Sequence, residues 1–331
     1  MTTQELSALG IVTAAVVYLL AFMAHAMEWA SARTLVADDA PGAALTSAGP
    51  SLTSAGPSLT SAGSSLTSAE PVEAPSDTST RVRVDMWGRM GMGLTFVALA
   101  AHAVGVIFRG IAAHRAPWGN MYEFTISALL FVAIAYVAVA TLRGMRWLGL
   151  PITLLLAVGN GLAATVFYVR VAPLVPALHS VWFLIHIVAA CISGAAFNLG
   201  GMASILFLLK ERAEKKGTAD RGYLGRIPSS RDIDTFAYRA HAFAFPVWTF
   251  TVAAGSIWAD YAWGRYWGWD PKETWALVTW IVYACYLHAR ATAGWRGRNA
   301  AIIAVVGVAS FWFNFIGVNL FMSGLHSYAG I

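Results

Sequence analysis

Eight apolar stretches, each close to the twenty or so residues that a helix needs to cross a bilayer, constrain this chain more than any other feature. They run approximately over 7–29, 88–108, 121–142, 147–168, 180–209, 242–259, 272–289 and 300–322. Backbone in lipid must satisfy its own hydrogen bonds, and stretches of this length do so as helices. The expected fold is therefore all-α, a polytopic membrane helical bundle of about eight transmembrane helices. Composition agrees: 58% of the 331 residues are hydrophobic and only 12% charged, which argues against a soluble two-domain protein. The sixth and seventh stretches are short, and the fifth is long enough to project from the bilayer. The first lacks a small-residue cleavage site and is read as a retained helix.

Basic residues set the orientation. If the loops 30–89, 143–146, 210–241 and 290–299 are cytoplasmic, they hold 17 of the 22 Lys and Arg. The other side keeps Arg109, Arg115, Arg170, Arg265 and Lys272. Both termini then face outward, at the cell membrane. The net charge of +5 reflects this bias and gives no reason to expect nucleic acid as a partner. Residues 44–71 repeat a seven-residue unit (ALTSAGP, SLTSAGP, SLTSAGS, SLTSAEP) with too few leucines for a coiled-coil seam, and read as a disordered linker. The organisation expected is an N-terminal transmembrane helix (1–30), a cytoplasmic low-complexity linker (31–87) and a seven-helix membrane domain (88–331). The loop 210–241 carries both charge signs and no phosphate-binding pattern, which argues against an ATPase.

The densest chemistry lies between Trp258 and Trp280, where WADYAWGRYWGWDPKETWALVTW holds six of the fourteen tryptophans. Tryptophans often form an interfacial belt. Here, however, Trp263, Trp267, Trp269 and Asp270 crowd one glycine-bearing loop, an arrangement suited to a large flat aromatic ligand. This loop faces outward in the assigned topology. Asp270, Pro271 and Glu273 form the pattern of a capped helix start. Asp270 and His288, 18 residues apart, would share one face of that helix about 27 Å apart.

Histidines inside a membrane are costly, and each is a candidate for function, although many only bond a neighbouring carbonyl. His186, on the outer end of the fifth span, and His326, after the eighth, lie on the tryptophan side; His288 and His25 lie at similar depth in the inner leaflet. His114 and His179 sit in polar or proline-rich loops and rank lower as ligands. Two imidazoles on opposite sides of a flat macrocycle make a six-coordinate iron site, with the tryptophan loop over the ring or its edge. Arg265 and Lys272 could face the propionates of such a haem, or could be plain interfacial charges. Glu123, beside Asn120 and Tyr122 on the same side, could line the pocket. Asn314 and Asn319 are read as interhelical hydrogen-bonding groups. Cys191 and Cys285 fall in apolar runs without a C-x-x-C pair, so they are expected to be buried, inert thiols.

The run WGRYWGWDPKETWALVTWIVYACYLHAR, followed by FIGVNLFMSGLHSY, resembles the CcsA/ResC-type cytochrome c biogenesis proteins of System II, called CcsB in actinobacteria. PWGNMYEF and LHSVWFLIHIV are similar to further motifs of that family. The likeness covers about residues 117 to 328 and leaves out the first span and the repeat. It implies a haem-handling WWD domain, here Trp263, Trp267, Trp269 and Asp270, that binds non-covalent haem b at the outer face. It also implies ligation of that iron by His186 and His326, and a role for His288 in holding haem within the membrane. The second inner ligand would come from a ResB-like partner subunit, with His25 as the alternative within this chain. The implied reaction is a cytochrome c haem lyase (synthetase) activity, exercised with the ResB-like partner. It joins haem vinyl groups to the thiols of a C-x-x-C-H apocytochrome c kept reduced by thioredoxin-like proteins. No general acid or base is assigned, because Asp270 and Glu273 have a sufficient role at the helix start. The competing readings are a haem transporter or chaperone without ligase activity, and an electron-transfer b-type cytochrome.

Overall fold

The computed structural model describes residues 1–32, 75–220 and 222–326, with side chains from residue 79 in the second of these segments. The repeat at 44–71 lies outside the described residues. Helices run in the order α1 (Thr3–Ser31), α2 (Pro75–Ala113), α3 (Met121–Leu142), α4 (Gly149–Thr165), α5 (Val181–Lys215), α6 (Gly222–Arg226), α7 (Ser230–Trp263), α8 (Pro271–Ala291), α9 (Arg298–Trp312) and α10 (Val318–Phe321). No strand occurs among the described residues. The fold is all-α, as the apolar runs require.

Among the described residues, seven helices are long and apolar enough to cross a membrane; the last of them runs continuously from Arg298 to Phe321 through a π-helical turn, Phe313–Gly317. α8, expected as the short seventh span, is less apolar because Lys272, Glu273, His288 and Arg290 occupy its ends, yet its 21 residues reach about 32 Å. The two boundaries furthest from expectation are helix starts. α2 starts at Pro75, inside the stretch read as linker, and α7 starts at Ser230, well before the apolar run at 242. Hydropathy detects only the part of a helix that lies in lipid. The polar first turns of α7 are set instead by the Ser229 cap, whose hydroxyl accepts from the Asp232 N–H.

In lipid, apolarity cannot choose the inner face of a helix, so small and polar groups do. On α1 the buried positions are Ser7, Ile11, Ala14, Tyr18, Ala21 and His25, spaced three and four apart, while Leu9, Val12, Val16, Leu20 and Met23 face out. α1 packs along α2 and α4, and the Ser7 hydroxyl donates to the Gly105 carbonyl across the first of these contacts. α5 packs along α7, α3 and α9, and α8 lies against α9 and α7. Phe197 of α5 stacks on Tyr283 of α8, their centroids 3.9 Å apart. Cys191 is buried as expected, but Cys285 is exposed, because α8 turns Ile281, Cys285 and His288 away from its neighbours.

Candidate functional site

The chain alternates direction, so α3, α5 and α8 begin on the face where α7 and α10 end. There they frame a cavity of about 1470 Å³, open mouth included, with walls that are overwhelmingly apolar and aromatic. Both histidines expected on this face, His186 and His326, line it.

Each imidazole is held through one nitrogen. The His186 Nδ1 lies 2.9 Å from the Thr251 carbonyl oxygen, so it carries the proton and leaves Nε2 with a lone pair. Gly255, one turn along α7, makes this reach possible: a Cβ there would sit 2.7 Å from the same Nδ1. The His326 Nδ1 lies 2.7 Å from Asp270 Oδ2, and the other Asp270 oxygen accepts the Leu325 N–H at 2.6 Å. A carboxylate behind an imidazole fixes its tautomer and raises its basicity, the arrangement that commonly supports a metal-bound histidine.

Trp258 packs against both rings, a residue whose role the sequence did not reveal because it falls inside the apolar run of α7. Its centroid is 5.7 Å from His186, nearly parallel, and 5.4 Å from His326, edge-on. The imidazoles are therefore separated by no more than the sum of those distances. Trp258 is itself pinned by its indole N–H, which donates to the Ala177 carbonyl at 2.7 Å.

The three tryptophans expected in the loop divide their positions, and Trp263 is the last residue of α7 rather than part of the loop. Trp263 packs on His326 with centroids 4.8 Å apart, and Trp267 lines the cavity. Trp269 is 69% exposed, sits edge-on to Trp267 and adopts a left-handed backbone with φ of 59°. α8 starts as the pattern predicted: Asp270 and Glu273 close a capping box, with Pro271 in the first turn. Glu273 also accepts the Gly268 N–H and pairs with Arg265 at 3.3 Å. The Arg265 guanidinium lies directly over Gly268, where a Cβ would force it to move.

Glu123 does not line the cavity, although its neighbours Met121 and Phe124 do. Its fully buried carboxylate accepts from Arg109 at 2.9 Å, Arg115 at 2.7 Å and the Gly119 N–H at 2.7 Å. It is the hub that ties α2 and the following loop to the start of α3. His25 and His288 also stand apart from the cavity. His25 is buried on α1, 3.3 Å from Glu28, and its ring contacts the backbone at Gly91 and Gly149. His288 is exposed in the last turn of α8. No hydrogen bond or ring contact joins these two histidines among the described residues. Asn314, in the π-helical turn, and Asn319, both expected as interhelical hydrogen-bonding groups, line the cavity, and so does Asn198 of α5, which helical spacing alone did not single out.

Burial pushes the Asp270 carboxyl up, but the His326 ring and the Leu325 and Lys272 N–H groups outweigh it and hold it below the usual carboxylate range. A depressed carboxylate contributes stability that is present above its unfolded value, near 3.9, and lost as pH falls through the folded value. Melting temperature should therefore drop below about pH 4, and Asp270→Asn should flatten that drop while weakening the hold on His326.

A family model described as "Cytochrome C assembly protein" matches residues 92–326. The chain is 41% identical over 218 residues to a cytochrome c biogenesis protein CcsA of Chlamydomonas reinhardtii, covering 64% of this chain and 60% of that relative. It is 35% identical over 256 residues to the protein so named in Guillardia theta, covering 72% and 85% of the two chains. With that of Gloeobacter violaceus the identity is 33% over 297 residues, covering 74% and 88%.

Proposed function

The chain belongs to the cytochrome c assembly protein family and has a role in cytochrome c maturation; from that premise we propose that it binds haem, as the substrate to be attached, in the cavity between His186 and His326. It is then the haem-handling subunit of a System II cytochrome c synthetase. With its tryptophan loop on the extracytoplasmic side of the cell membrane, it carries haem to the outer face and presents it to apocytochrome c. A ResB-like subunit would complete the enzyme, and thioredoxin-like proteins would keep the cysteine thiols reduced.

One observation carries the reading. Two imidazoles, each tied through Nδ1 so that Nε2 remains a free donor atom, share one aromatic, apolar cavity and pack on one common indole. These residues fit a haem: two neutral nitrogen ligands for iron, apolar walls for the macrocycle and tryptophan faces for its surface. When bound, haem supplies the iron that the imidazoles ligate and the vinyl groups to which the thiols of C-x-x-C-H are joined. The chain supplies position. Thr251 and Asp270 orient the ligands, Trp258 and Trp263 pack beside them, and the cavity excludes water from one face of the guest. Asp270 and Glu273 are committed to the start of α8, so no residue here serves as a general acid or base.

Co-expression with a ResB-like partner and an apocytochrome, in a host without its own maturation system, should yield cytochrome with covalent haem. If the chain loads haem but no covalent product forms, the chain acts as a haem transporter and another protein makes the bond.

A further inference from the structure

Resting on that reading, we propose that Lys272 is the residue that recognises the acidic edge of the guest, by pairing with a propionate carboxylate, and that Arg265 is not. The sequence offered both cations for this role. The structure separates them by what each already holds. The Arg265 guanidinium is spent on Glu273, 3.3 Å away, and lies over the Trp263 ring at 6.0 Å. Lys272 lines the cavity, and no carboxylate lies within ion-pair distance of its ammonium among the described residues.

The neighbouring acids make no direct ion pair with it, and their oxygens are engaged by other donors. Asp270 accepts from His326, the Leu325 N–H and the Lys272 N–H; Glu273 accepts from Arg265 and from the Gly268 and Asp270 N–H groups. These two carboxylates answer the local donors and leave the Lys272 ammonium over. An ammonium beside an apolar cavity, near the Asp270 charge but in ion-pair contact with no carboxylate among the described residues, favours a guest that brings one. The site thus selects an amphipathic molecule, a large apolar ring with carboxylates on its rim, and places the acidic rim at the first turn of α8. A lysine that merely extends to water would make no such selection.

The test compares haem b with its dimethyl ester, which keeps the iron and the ring but has no anionic edge. Purified full-length protein in detergent is titrated with each and followed by the low-spin absorption band, so the readout is binding rather than synthesis. The wild type should prefer the free acid by about tenfold, the worth of one charge-assisted hydrogen bond. Lys272→Met should bind both forms alike, at the affinity the wild type shows for the ester. Lys272→Arg should keep the preference and so rule out general damage, and Arg265→Lys should keep it too. If Lys272→Met still prefers the acid as strongly as the wild type, the assignment is overturned while haem binding stands. If the wild type binds the two forms equally, Lys272 selects nothing. If the wild type binds neither form, the haem reading itself fails and takes this proposal with it.

Discussion

Purified His186→Ala and His326→Ala proteins should each lose at least about tenfold of their haem, measured as pyridine haemochrome per polypeptide. Mutating even the partner behind a metal-bound histidine typically costs ten- to a hundredfold in affinity, so removal of the ligand itself should do no less. His179→Ala is the control, because that ring is exposed in a loop outside this cavity. Added imidazole should restore a low-spin spectrum to either alanine variant if the protein is folded and only a ligand is missing. Haem retained at wild-type occupancy in both variants would end the assignment. Asp270→Asn should have a smaller effect of the same sign, since His326 loses its carboxylate but keeps a hydrogen-bond partner.

The largest loss of stability is expected from Glu123→Ala. Its carboxylate is fully buried between Arg109, itself fully buried, and Arg115. Removing one partner from such a pair leaves uncompensated charge in a low-dielectric interior and typically costs about 3–5 kcal/mol. Arg109 also donates to the Val169 carbonyl at 2.8 Å, so the disturbance would spread to the loop after α4. A thermal melt in detergent should show the drop. Replacing Glu123 and Arg109 together by leucine should recover much of it, because the costliest unpaired charge is then absent. If Glu123→Ala melts like the wild type but fails to bind haem, the carboxylate belongs to the ligand site after all.

These two expectations draw on different kinds of information. That His186 and His326 come to the same end of the bundle was legible in the sequence, from the alternation of apolar runs of about twenty residues. The start of α8 was also legible, because a capping box is a local pattern whose partners sit three residues apart. The role of Glu123 was not. A motif next to a glycine and an asparagine looked like pocket lining, and only the packing of α2 against α3 brought Arg109, 14 residues earlier, onto its carboxylate. Arg265 and Lys272 looked equivalent until Glu273 was seen to take one of them.

The sequence by itself determined that the chain forms an all-α bundle of long apolar helices, because the cost of unpaired backbone in lipid leaves a chain with these runs little choice. Periodicity of apolar residues could not say which helix faces meet, since lipid and protein interior are equally apolar. That was decided by tertiary packing of small and polar groups, such as Ser7 on Gly105 and Gly255 beneath His186. Only that packing placed Trp258 against two imidazoles that are 140 residues apart in the chain, turned Trp269 outward and left Cys285 and His288 on an open helix face.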